Sequence, residues 1–194
     1  MPENKELRAI ARSQLKGKWP LSIGVTLIFC TLLYASCLFF GIGFFIVGGP
    51  LTIGFYAYLM RIVRGEKTDI ENVFDGFKNN MFKPSLILFL LYNAFVLLWT
   101  LLLIVPGIIK SISYSMAFYI LRDNPDMPPR EALRESERMM KGYKMKYFLL
   151  CLSFFGWLLL CSLTFGIGFL WLGPYMYLAI TNFYEKLKSN PGEV

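Results

Sequence analysis

One ionisable side chain stands alone in a long apolar stretch: Lys110 is the only charged residue between Pro84 and Leu121. An amine inside a membrane is by default a candidate for function. Pro106 lies four residues earlier, about 6 Å along a helix, so the ammonium is also able to snorkel outward to water. Partners for acid–base chemistry are scarce. The chain has no histidine, and no carboxylate falls inside its uncharged stretches. Ser111, Ser113 and Ser115 alternate after Lys110, which spreads them over several faces of a helix with no base beside them. Asn93 and Asn182 suit interhelical hydrogen bonds worth about 0.6 kcal/mol each. Pro50 and Pro174 interrupt apolar segments, where proline kinks or breaks a helix and a broken helix often lines a cavity. Pro50, Asn93, Lys110 and Pro174 are therefore the candidates for a polar cavity, with simple packing kinks as the other reading of the prolines. The sequence offers no catalytic residue, no metal-ligand set and no cofactor fingerprint. The cysteines, Cys30, Cys37, Cys151 and Cys161, all lie in apolar stretches and lack metal-ligand spacing.

The elements that must carry these residues follow from where charge is missing. Uncharged runs extend from Trp19 to Met60, Pro84 to Ile109 and Tyr147 to Tyr184. With Lys110 included in the second, each block is roughly twice the 20 residues that one membrane crossing needs. Each has turn formers near its middle: Gly41-Ile42-Gly43, Pro106-Gly107 and Gly166-Ile167-Gly168. The expectation is an all-α polytopic membrane protein with spans at 20–40, 44–63, 84–105, 107–122, 147–165 and 169–186. These form three hairpins in a single membrane domain, residues 1–194.

The hairpins share a plan. Lysines and an aromatic stand before each one, in LKGKWP, FKNNMFKP and MKGYKMKYF, and Lys16, Lys78 and Lys141 are 62 and 63 residues apart. This is a threefold repeat, with units near 1–66, 67–126 and 127–194. An amphipathic pattern precedes each hairpin: Leu7, Ile10, Ala11 and Gln14; Ile70, Val73, Phe74 and Phe77 behind a Thr68-to-Glu71 capping box; and Leu133, Ser136, Met140 and Tyr143 after Pro128-Pro129. Such helices are expected in the headgroup plane, with ordinary loop helices as the competing reading. Lys16, Lys18, Lys78, Lys83, Arg134, Arg138, Lys141, Lys144 and Lys146 are the expected headgroup contacts.

Nineteen of the twenty Lys and Arg fall in the tails and the two long connections, and none in the short turns. The positive-inside rule puts both termini in the cytoplasm. All thirteen acidic residues share that side, leaving an excess of +6 that suits an anionic leaflet and is weak for nucleic acid. The lipid bilayer is the first partner.

The string FGIGF occurs at 40–44 and again at 165–169. Phosphate loops follow a strand and open a helix, whereas these glycines join two apolar spans, so they read as hairpin tips. The segment PPREALRESERMMKGYKMKYFLLCLSFFGWLLL, with LTFGIGFLWLGPYMYLAITNFYEKL after it, resembles a family of bacterial integral membrane proteins known only as a domain of unknown function. The likeness rests on Glu131, Ala132, Ser136, Met140 (or Met139) and Gly142, then Leu152 to Phe154, Gly156, Trp157, and Gly173 to Tyr175. It implies a location in the bacterial cell membrane and a topology, and no activity. A weaker likeness of the EALRES…MKG helix is to membrane domains attached to glycerophosphodiester phosphodiesterases, without their catalytic domain.

The expected function is non-enzymatic: a membrane protein that organises or assists envelope components or a membrane-protein partner such as an exporter. The rival is a small transporter or immunity-type protein that handles a hydrophobic peptide or lipid. A cavity joining Pro50, Asn93, Lys110 and Pro174 favours the rival; a packed interior with an exposed apolar groove favours the partner reading. An enzyme comes third, and the sequence assigns no oligomeric state.

Overall fold

A backbone in hydrocarbon has to satisfy its own hydrogen bonds, and a helix does so within one segment. The computed structural model describes residues 4–38, 42–78, 80–164 and 168–189, and every regular element among them is helical. The first third holds α1 (Asn4–Leu15), α2 (Trp19–Leu38) and α3 (Ile42–Val63), followed by a 3-10 helix (Ile70–Phe77). Next come α4 (Phe82–Leu102), α5 (Ile104–Tyr114), α6 (Ala117–Asp123) and α7 (Pro129–Met139). The chain closes with α8 (Lys144–Leu152), α9 (Phe155–Leu163) and α10 (Phe169–Ser189).

Five helical stretches among the described residues are long and apolar enough to cross a membrane: Trp19–Ser36, Gly43–Val63, Phe82–Leu102, Ile104–Asp123 and Lys144–Leu163. The chain is an all-helical membrane protein. Over the sixth expected span, 169–186, α10 is continuous but lies outside this set. Its tyrosines, Pro174, Asn182 and the charged end from Glu185 lower its apolar character.

Several boundaries differ from the sequence expectation. The middle block reverses at Leu103, whose extended backbone (φ −159°, ψ 135°) separates α4 from α5. Pro106 and Gly107 instead stand in the first turns of α5. Proline is tolerated there because the early N–H groups have no intrahelical partner. Gly107 is needed for packing: a Cβ would run into Thr100 of α4. The fourth and fifth expected spans, 107–122 and 147–165, are broken, at Ser115–Met116 and at Ser153–Phe154. Pro50 and Pro174 leave α3 and α10 uninterrupted. The FGIGF tips fall largely outside the described residues, at 39–41 and 165–167.

The amphipathic segments wrap the bundle in a cyclic order. The 3-10 helix packs on α3, α7 on α4, α5 and α6, and α1 on α10. The 3-10 helix and α7 thus lie against the stretch that precedes each of them, and α1 lies against the far end of the chain. The hydrophobic faces explain the contacts: Leu7, Ala11 and Leu15 on α1, and Ala132, Leu133 and Ser136 on α7, are buried. The 3-10 helix is docked closely on α3. A Cβ on Gly54 would strike the Val73 carbonyl, and one on Gly76 the Pro50 carbonyl, so it runs along the middle of α3. Its cap is also displaced by one residue from the expected box. Asp69 receives the Ile70 N–H at 2.7 Å, and the Asn72 side chain accepts from the Asp69 N–H at 2.8 Å.

Candidate functional site

α3, α6 and α10 meet through three tyrosines. One ring from each forms a stack: Tyr56 on Tyr119 with centroids 4.3 Å apart and planes 6° from parallel, then Tyr119 on Tyr184 at 5.0 Å and 21°. The Tyr119 hydroxyl shares a hydrogen bond with the Thr181 hydroxyl at 3.2 Å, so its polar end is satisfied although the side chain is fully buried.

An ionic junction adjoins the stack. Arg64 donates to both Asp123 oxygens at 2.8 and 3.0 Å and to Glu185 at 2.8 Å. Lys188 and the Tyr184 hydroxyl donate to Asp123 Oδ2 at 2.6 and 2.9 Å. Desolvation alone would weaken the Arg64 charge; the hydrogen bonds and charges of Asp123 and Glu185 outweigh it and raise its pKa. A second ionic group ties the 3-10 helix down, with Asp75 2.9 Å from Arg61 and 3.7 Å from Arg122. Three consecutive stretches of chain are therefore locked together at one end by rings and charges.

Lys110 is held within the protein. Its ammonium lies 2.5 Å from Glu137 of α7, with the rings of Trp99 and Tyr114 at 5.4 and 5.6 Å from it. Nearby, the Ser136 hydroxyl donates to the Ser113 carbonyl at 2.7 Å and accepts the Met116 N–H at 3.1 Å. That pair of bonds satisfies backbone groups freed where α5 breaks, a use for serine in the middle of the α7 apolar face.

The other expected cavity residues are dispersed. Asn93 donates to the Phe89 carbonyl of its own helix at 2.8 Å. Pro50 is buried where Gly76 crosses it, and Pro174 is buried within α10. No described cavity draws its lining from Pro50, Asn93, Lys110 or Pro174. Asn182 exchanges hydrogen bonds with Gln14 at 2.7 and 3.2 Å, fastening α1 to α10. The expected headgroup contacts face outward: Lys16, Lys78, Lys83, Arg134, Arg138, Lys141 and Lys146 are exposed, while Lys18 and Lys144 are half-buried. Cys30, Cys151 and Cys161 are free thiols.

Sequence reasoning missed the stacked tyrosines. Tyr56, Tyr119 and Tyr184 are 63 and 65 residues apart, close to the lysine period, and that recurrence was the available signal.

The family described as "Protein of unknown function (DUF975)" matches the chain twice, over residues 1–113 and over residues 100–191. The chain belongs to this family. Two matches of the DUF975 description within one chain are consistent with an internal repeat. No curated protein and no solved structure matches the chain.

Proposed function

We propose that this DUF975 chain is a non-enzymatic integral protein of the bacterial cell membrane that organises or assists envelope components or a membrane-protein partner such as an exporter. It crosses six times as three repeated hairpins, with both termini and both long connections in the cytoplasm. The double family match and the cyclic packing of α1, the 3-10 helix and α7 support the repeat. The charge asymmetry supports the orientation.

The observation that carries the functional reading is the closed junction of α3, α6 and α10, where stacked tyrosines and ion pairs fill the space that a transported molecule would need. Apolar side chains face outward instead, as at Leu101, Leu102, Ile104 and Leu163. An apolar groove also opens between α2, α3 and the 3-10 helix, past Leu32, Ala35, Val47 and Phe74. A packed interior with exposed apolar relief suits a surface that other membrane proteins meet.

The test is affinity capture from native membranes after mild extraction. The proposal expects a protein partner in stoichiometric amount. A trapped hydrophobic peptide with no protein partner would overturn it in favour of the transporter or immunity reading.

A further inference from the structure

We propose that the cleft where α1 meets α9 and α10 is a binding site for one anionic phospholipid. The basic face of α1 holds the phosphate, and one acyl chain lies in the groove between α9 and α10. The site rests on the membrane reading given above.

Lys5, Arg8 and Arg12 share one face of α1, within an arc of about 60°, and Lys16 follows in the turn at its end. Among the described residues none of the four pairs with a carboxylate. Arg8 Nε is buried with no acceptor there. Four neighbouring cations repel each other, and a bound anion relieves that repulsion while accepting the orphaned N–H. The cleft above them has a volume of about 650 Å³ and is walled by Trp19, Trp157 and Tyr175.

This polar chamber is only the first half. A second cavity of about 310 Å³ shares Arg12, Trp19, Trp157 and Tyr175 with it, and is otherwise lined by side chains such as Leu160, Cys161, Trp171 and Leu172. On α10 the lining runs from Trp171 to Tyr175, about 6 Å of helix, with Gly168 just ahead of it. A cationic chamber that continues end to end into an apolar channel matches a molecule with an anionic head and a hydrocarbon tail. Arg12, 5.9 Å from the Tyr175 ring centroid, marks the junction between the two. A soluble phosphate would leave the channel empty. The positive-inside orientation puts the chamber at the leaflet that carries the anionic lipid.

Three of the four tryptophans, Trp19, Trp157 and Trp171, line the cleft, so their fluorescence reports its occupant. In a Trp99→Phe background, the full chain is reconstituted into phosphatidylcholine vesicles. Each preparation contains the same small fraction of either dibrominated phosphatidylglycerol or dibrominated phosphatidylcholine. The site predicts stronger quenching by the phosphatidylglycerol. Its apparent affinity falls roughly fivefold for each basic side chain removed in Arg8→Gln and Arg12→Gln. Thr164→Phe, which narrows the channel and leaves the charges, also removes the excess. Inorganic phosphate leaves the excess in place.

Equal quenching by the two lipids overturns the proposal. So does an excess that survives all three substitutions and falls only with salt, which marks diffuse surface attraction. Loss of the excess on adding millimolar phosphate overturns it too, in favour of a soluble anion. Tryptophans unquenched by either brominated lipid would report a chain outside the bilayer, a failure of the membrane reading and separate from the other outcomes.

Discussion

The Lys110 ammonium and the Glu137 carboxylate, 2.5 Å apart, join the middle of an apolar stretch to the helix that leads into the next one. The lysine is thus held by a partner on α7 and by two aromatic rings. Coupling between the two charges is expected at about 0.5 kcal/mol, because Glu137 remains partly open to water. A double-mutant cycle of Lys110→Met and Glu137→Gln, read by thermal unfolding of the extracted protein, measures it. Additive effects would show that the pair contributes nothing.

Tyr119 is the middle ring of the stack. Tyr119→Ala is expected to cost about 3–5 kcal/mol, the range for deleting a buried aromatic. Tyr119→Phe keeps the stack, loses the bond to Thr181, and is expected to cost about 1 kcal/mol. Unfolding curves of the two variants in one detergent separate ring from hydroxyl.

Asp123 gathers Arg64, Lys188 and Tyr184 while its own side chain is only 8% exposed. Asp123→Asn leaves the cations without their shared anion and is expected to destabilise by about 2 kcal/mol. Limited proteolysis should then cut first near the ends of α3, α6 and α10. An unchanged digestion pattern would mean that the junction does not hold those ends together.

Glycines divide into two classes. Gly54→Ala and Gly76→Ala force a Cβ against backbone carbonyls of Val73 and Pro50 and are expected to cost about 1–3 kcal/mol each. Gly24→Ala and Gly156→Ala meet nothing within 4 Å and should be neutral or stabilising by about 0.5–1 kcal/mol. Parallel melting of the four variants tests whether the 3-10 helix is docked on α3.

Much of the architecture was legible in the sequence because it depends on composition over long windows. The uncharged runs gave the helices, and Leu133 and Ser136 on α7 and Met140 and Tyr143 just after it are all buried, in keeping with their spacing. Features that depend on single contacts were not legible. Glu137 is 27 residues from Lys110 and reads as one more charge on an acidic–basic helix until the packing brings them together. Pro106-Gly107 looked like a turn, yet the chain turns at Leu103, because proline fits an early helical position and glycine admits Thr100. The cap at Asp69 and Asn72 has the same three-residue spacing as the expected Thr68–Glu71 box, so the pattern alone did not separate the two registers.

The central claim is that the chain enters lipid, turns back and leaves on its original side. Topology reporters fused at Pro106 in one set, and at Lys67, Pro128 and Ser189 in another, test it most directly in intact cells. The account predicts an external signal at Pro106 and cytoplasmic signals at the other three. A cytoplasmic signal at Pro106, or an external one at any of the others, would contradict it.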